Sequence, residues 1–342
     1  MKKTRREVLG ISAAVLGSAA LGCASRPQRS RGTDPSSEQI KETMQAETTT
    51  NRTARPVDRV LATSAEHWVG DGFRVRSVIN PQGDPRIQSP FLLLDHAPSR
   101  YFEPGKQQRG VGEHPHRGFE TVTFAYRGEI AHRDSSGGGG LIGAGDVQWM
   151  TAAGGIVHEE FHSKKFTEQG GDMEMVQLWV NLPAKHKMNA PGYQALLDKD
   201  FPRLQLDAAK ARLIAGSLGN QTGPARTHTP MTIFDLKFEE AGPSTFELAR
   251  GFTSLVFTLE GDVRVGSDQR QIQPGAMAVL GRDSEGLLQL QAAKDARVLV
   301  LSGQPIAEPV AAYGPFVMNT RAELMQAVED YQSGKMGHLS PG

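Results

Sequence analysis

Two stretches of this 342-residue chain repeat one another in kind. Tyr126-Arg127-Gly128-Glu129-Ile130 is followed by Ile142-Gly143-Ala144-Gly145-Asp146-Val147. Later, Leu259-Glu260-Gly261-Asp262-Val263 is followed by Ile272-Gln273-Pro274-Gly275-Ala276-Met277. Each reads as strand, glycine turn, strand, then a second glycine turn into another strand. A chain that carries this order twice is constrained towards two tandem copies of one small β-barrel, the second within about Ser244 to Gly303. The surrounding texture agrees. Phe73-Arg74-Val75-Arg76-Ser77-Val78 alternates as a half-buried strand does, and Phe91-Leu92-Leu93-Leu94 is a short buried run. In Thr121 to Tyr126, the side chains of Val122, Phe124 and Tyr126 share one face. Gly (38) and Pro (20) make up 17% of the chain against roughly 12% on average, which favours turns and short strands over long helices. The run Gly137 to Gly140 reads as a turn or hairpin tip.

Only the end of the chain predicts a substantial helix. Thr320-Arg321-Ala322-Glu323 fits a capping box. Leu324, Ala327, Val328 and Tyr331 then recur on one helical face, and Gly334 supplies a stop.

The first residues read as an address. Lys2, Lys3, Arg5 and Arg6 precede an uncharged stretch from Val8 to Gly22, the layout of a signal peptide. Thr4-Arg5-Arg6-Glu7-Val8-Leu9 resembles the twin-arginine export motif, and Ala20-Leu21-Gly22-Cys23 resembles a lipoprotein cleavage box. The expectation is removal of residues 1–22 and lipidation of Cys23, which places the protein outside the cytoplasm on the periplasmic or cell-envelope side. The removed segment holds four of the 38 cations and one of the 38 anions, so the mature chain carries a net charge of −3. Residues 23–56 are polar, with Ile40 and Met44 as their larger apolar members, and read as a flexible linker. The membrane is then reached by the lipid anchor alone. The balanced charge leaves no basic footprint for nucleic acid. One cysteine permits neither an internal disulfide nor a cysteine-rich zinc site.

The chemistry sits among ten histidines. His114-Pro115-His116 and His158-Glu159-Glu160 each place two donors two residues apart, hence on one face of a strand. Two such strands of one barrel can build a site of three histidines and one carboxylate. That donor set suits iron, manganese, nickel or zinc, and in six-fold coordination it leaves two positions open. By alternation Glu159 points away. His162 shares the inward parity but reads as a surface or rim residue. Taken alone, either pair describes ordinary histidines more often than ligands; their conjunction favours metal. Between His228 and His338 there is no histidine, so the second barrel cannot repeat the site.

His114-x-His116 with Glu120 four residues on, followed by Gly155-x-x-His158, resembles the paired motifs of the cupin superfamily. Within it, Glu113 to Thr123, His132-Arg133-Asp134-Ser135, Gly145 to Thr151, Leu178 to Pro183 and Gly314 to Asn319 resemble the pirin family, from about Val57 to Gly337. The resemblance implies an all-β bicupin: a metal-bearing cupin over 57–195, then a metal-free cupin over 196–342 that ends in the terminal helix. It also decides the carboxylate. The general cupin pattern puts it at Glu120, the pirin pattern at Glu160, so His114, His116, His158 and Glu160 are the expected ligands. Glu120 is left as a buried hydrogen-bonding carboxylate that can support them, and His132, His96 and His228 take structural roles.

Pirin-like cupins include quercetin 2,3-dioxygenases, which open a flavonol ring with oxygen. The resemblance thus implies one divalent metal, Fe(II) ahead of Mn, Ni or Zn, with O2 and a small aromatic enol or catechol as substrates. Glu160 would be both ligand and base. The alternative is a non-catalytic, metal-dependent binding or redox-sensing protein of the envelope, its protein partner unknown.

Overall fold

A computed structural model describes residues 54–282 and 286–339. The expected signal segment, Cys23 and most of the expected linker lie outside the described residues. No helix among the described residues is long and apolar enough to cross a membrane.

The strands form two barrels of the same plan. Each has one seven-stranded and one four-stranded sheet. In the first barrel the large sheet runs in the order Gly192–Leu196, Val147–Thr151, Phe119–Arg127, Gly171–Asn181, Phe91–Phe102, Phe73–Ile79 and His67–Val69. Its small sheet runs Gly110–His116, Ile156–His162, Ile130–Asp134 and Gly139–Ile142. The second barrel repeats this with Val57–Leu61, Met277–Leu280, Thr253–Glu260, Arg297–Gly303, Met231–Phe238, Ala209–Ala215 and Arg203–Leu206. Its small sheet is Gly242–Glu247, Leu287–Ala292, Val263–Val265 and Arg270–Ile272. All ladder pairs between these strands are antiparallel, as short glycine turns dictate. The echo in the sequence is this duplication. Gly128 and Gly261 occupy matching turns, each with φ of +84°, a conformation that L side chains rarely adopt.

The two large sheets pack face to face. Phe91, Val122, Phe124, Trp149 and Leu178 from one meet Ile233, Leu255, Phe257, Met277 and Leu299 from the other in a single apolar layer. Burial stabilises by roughly 1.5–3 kcal/mol per large apolar side chain, so this layer fuses the barrels. Val122, Phe124 and Tyr126 do share a face, and it is this layer between the barrels. Thr121, Thr123 and Ala125 on the opposite face are buried too, so strand Phe119–Arg127 has no solvent side.

The ends of the chain cross over, against the expected assignment of 57–195 and 196–342 each to one barrel. Val57–Leu61, expected in the first barrel, pairs with Met277–Leu280 as an edge strand of the second. The same edge of the first barrel is filled by Gly192–Leu196. The terminal helix, expected on the second barrel, packs on the first, where Phe316, Met318, Leu324, Ala327 and Met336 cover Val157. It spans Arg321–Gln332 with Thr320 and Glu323 forming the capping box. Arg117, beside the metal motif, donates to Asp330 of that helix at 2.8 Å, and both are buried. Lys187 fastens the preceding segment: its ammonium donates to Gly118 O, Asn181 Oδ1 and Val317 O at 2.7–2.9 Å. Burial pulls its pKa down to about 7, against the opposing charges of Glu308 and Glu323.

The expected linker is also shortened. Ala54 bridges Leu287, and Arg55 is 1% exposed. Its guanidinium donates to Leu248 O at 2.9 Å and Ala249 O at 3.2 Å, a satisfied burial that ties these residues to the second barrel.

Candidate metal centre

The expected ligands sit on the small sheet of the first barrel. Strand Gly110–His116 is its edge, and strand Ile156–His162 pairs with it so that His158 lies opposite His114. This register brings three imidazoles together. Ring centroids are 4.2 Å apart for His114 and His158, and 4.9 Å for His116 with each of the other two. Each of the three offers a ligand atom within 4.8 Å of the others'. His158 and His116 are buried, and His114 is half-exposed on the edge strand, so the cluster opens to solvent on that side.

Hydrogen bonds orient the rings. His114 Nδ1 lies 2.8 Å from Gly112 O, and His116 Nδ1 lies 3.4 Å from Pro315 O. A carbonyl can only accept, so each Nδ1 carries the proton and each Nε2 is left with its lone pair. His158 Nδ1 faces His132 Nδ1 at 3.3 Å, while His158 Nε2 is buried without a partner. An orphaned buried nitrogen between two other imidazoles is costly on its own and suits a cation. Burial, reinforced by the neighbouring histidines, holds His158 and His116 well below the usual histidine range, so both are neutral, the form that ligates. The donor set therefore fits a divalent metal.

Glu160 is placed differently from the expectation of one four-donor group. It clusters with His158 and His132, not with His114 and His116. Gln148 Nε2 donates to Glu160 Oε1 at 2.5 Å and lies 3.2 Å from Thr123 Oγ1. Thr123 in turn donates to Gln177 Oε1 at 2.6 Å. Tyr193 OH donates to Gln148 Oε1 at 3.3 Å and stacks its ring on His132, with centroids 5.0 Å apart. Glu159 points to the other face and pairs with Arg133.

Glu120 joins neither metal-ligating group. It is 1% exposed, accepts from Thr151 Oγ1 at 2.7 Å, and burial raises its pKa to about 7. His162 is not a ligand, and it is not on the rim either. It is 2% exposed, hydrogen-bonded through Nε2 to Gly72 O at 3.0 Å and packed edge-on against Phe73, Phe102 and Phe166. A cavity of about 650 Å³ lies on that side, lined by Trp68, Phe102, Arg109 and His162. None of His114, His116 and His158 lines it; their cluster meets solvent at His114 instead.

Sequence reasoning gave His132 only a structural role and missed Gln148, Thr123 and the Pro315 carbonyl. His132-x-Asp134 has the same spacing of two as His114-x-His116, a signal that was available. Gly137 to Gly140, read as a turn or hairpin tip, is in part strand Gly139–Ile142. Gly138 also makes room for Asp134, since a Cβ there would come 2.4 Å from Asp134 Oδ2. Pro315 approaches from a segment distant in sequence and leaves no local trace.

Two barrels of one plan, the first with three imidazoles converging on a point, define a bicupin whose candidate metal ligands, among the described residues, all lie in the first barrel. The pirin family model matches residues 72–180, and the model for the pirin C-terminal cupin domain matches residues 233–337. The chain belongs to the pirin family. A Pseudomonas aeruginosa protein provisionally named a quercetin 2,3-dioxygenase is 50% identical over 278 residues, covering 81% of this chain and 96% of its own length. A pirin-like protein of Solanum lycopersicum is 38% identical over 284 residues, covering 82% and 92%. The crystal structure of a quercetin 2,3-dioxygenase from Acinetobacter baumannii superposes with a TM-score of 0.80 at 46% identity, covering 84% of this chain and all of that one.

Proposed function

We propose that the protein is an oxygen-dependent dioxygenase of flavonol-like or other enol and catechol substrates, holding one divalent metal, Fe(II), on the Nε2 atoms of His114, His116 and His158. The observation that carries this reading is the buried, unpartnered His158 Nε2 facing two further imidazoles. The names of the relatives from Pseudomonas and Acinetobacter supply the substrate class. When bound, the metal supplies Lewis-acid stabilisation of a deprotonated hydroxyl and access to oxygen chemistry.

The chain's own residues do the rest. His114 leaves the solvent edge open to an aromatic substrate. Trp179 and Phe119 pack against His116, with centroids 5.3 and 5.1 Å away, and keep water off its inner side. Glu160 is the base for the substrate hydroxyl. Its Oε1 is occupied by Gln148, so Oε2 takes the proton. Glu160 offers a ligand atom within 4.8 Å of that of His158, so it could hold the metal beside that histidine and, when released, act as this base.

The test is oxygen uptake by the Fe(II)-loaded chain with quercetin, in air-saturated and deoxygenated buffer. Oxygen consumed in step with loss of the flavonol absorbance is expected. A metal-loaded chain that consumes none, with quercetin or simpler catechols, sinks the enzymatic reading in favour of a metal-dependent sensor. The same reading puts this chemistry on the envelope side of the membrane through Arg5, Arg6 and Cys23. Replacing both arginines by lysine should leave precursor in the cytoplasm, and Cys23→Ala should release the mature protein from membranes. Unchanged processing and unchanged membrane association would count against it.

A further inference from the structure

The ring of His158 does not stand alone. Its Nδ1 lies 3.3 Å from His132 Nδ1, and His132 Nε2 lies 3.2 Å from Asp134 Oδ2. The side chains of His132 and Asp134 are fully buried. The other carboxylate oxygen, Asp134 Oδ1, accepts from Ser136 N at 2.8 Å, Ser136 Oγ at 2.6 Å and Gly138 N at 3.0 Å. A carboxyl that receives three donors on one oxygen is an acceptor, which makes the His132 Nε2 contact a donation to Oδ2. Of the two facing nitrogens one donates and the other accepts; His132 already donates through Nε2, so its Nδ1 accepts and His158 Nδ1–H is the donor. The proton of His158 is thereby fixed on Nδ1, and the lone pair falls on Nε2, the atom with no partner.

We infer that Asp134 and His132 form a two-step hydrogen-bond relay that sets the tautomer of His158, making both of them positioning residues for the metal and neither of them a ligand. The reverse order is incompatible with a cation at His158 Nε2. If His132 were an imidazolium donating to His158, the His158 proton would move to Nε2 and block it. The ring of His132 is held for this task by its stack on Tyr193, and Gly138 keeps the space beside Asp134 clear. His114 and His116 rest on backbone carbonyls, so only His158 depends on side chains that substitution can reach.

This inference rests on the metal site proposed above, and the experiment separates the two. The full chain is loaded with cobalt(II), and its affinity is measured by competition with a chelator, alongside the melting temperature of each variant. Asp134→Asn is isosteric: its Oδ1 keeps the turn, while its amide N–H faces His132 Nε2 and reverses the relay. A 10- to 100-fold loss of cobalt affinity is expected, the range for residues that orient metal-bound histidines. Asp134→Glu, which restores an acceptor, should recover part of it at an equal or lower melting temperature. His132→Phe, which keeps the stack on Tyr193 but removes the acceptor, should weaken cobalt while leaving one metal per chain. Wild-type affinity in folded Asp134→Asn overturns the relay alone. So does no better retention in Asp134→Glu than in Asp134→Asn, or complete loss of stoichiometry in His132→Phe, which would make His132 a ligand. A wild-type chain that takes up no cobalt, or one whose uptake survives His114→Ala and His116→Ala, overturns the site itself.

Discussion

The two barrels share a ladder and differ in what fills it. Matching turns at Gly128 and Gly261 align the strands residue by residue. Glu160 pairs with His132 in the first barrel where Leu290 pairs with Val265 in the second. His158 lies opposite His114 where Leu288 lies opposite Phe246. Thr123, flanked by Gln148 and Gln177, corresponds to Val256, flanked by Ala278 and Val300. Each of these polar residues thus has an apolar counterpart, and these counterparts belong to one continuous core. In the first barrel the apolar core retreats to the end around Phe73, Ile130, Phe166 and Met175. One backbone accepts either filling, because inward positions are set by strand parity and the side chains there decide between a dry interior and a ligand set.

The sharpest way to break this comparison is to move one polar residue across. Leu290→Glu puts a carboxylate among Val256, Val265 and Ala278 with no Gln148 to meet it. A loss of about 3–5 kcal/mol is expected from an unpaired buried charge, read as a fall in the urea or thermal midpoint. The reciprocal Glu160→Leu should cost far less stability while weakening metal retention. Equal losses in the two variants would mean that the interiors are not specialised.

Metal removal comes next. Chelation should lower the melting temperature of the wild-type chain, since a ligand at 1,000 times its Kd contributes about 4 kcal/mol. It should not move that of His158→Ala, which has lost the central donor. The second barrel has none of these donors, so one metal per chain is expected by elemental analysis, and two at equal occupancy would contradict the comparison.

A third effect is titration in the first barrel. Burial raises Glu120 to about 7, above its unfolded value, so the folded chain binds the proton more tightly. The contribution of Glu120 to stability should fall as pH rises from about 4.5 to about 7 and level off above that, by roughly 3 kcal/mol in all. The matching position in the second barrel is Thr253, which does not titrate in this range. The difference between the pH profiles of wild type and Glu120→Gln should show this contribution, and identical profiles would overturn it. The smallest effect is at Glu159, whose pair with Arg133 is partly solvated. Glu159→Ala should change stability by about 1 kcal/mol or less and leave metal retention as it was.

The sequence by itself determined the duplication, the β class, the capped terminal helix and the strand parity that brings His114, His116 and His158 to one point. These are local properties: glycine turns, alternation and cap chemistry act within a few residues. Family motifs added the order of the barrels. The tertiary structure alone decided three things. It put Val57–Leu61 on the second barrel and the terminal helix on the first, because an edge strand and an apolar helix face bury against whatever surface the chain brings near. It set Glu160 with Gln148 and His132, because a carboxylate buried inside a barrel takes its donors from strands far apart in sequence. And it supplied the orientation of the rings, through Pro315 O for His116 and through His132 and Asp134 for His158. Spacing can bring an imidazole to a site, but the acceptor that meets its other nitrogen is fixed only when distant segments pack.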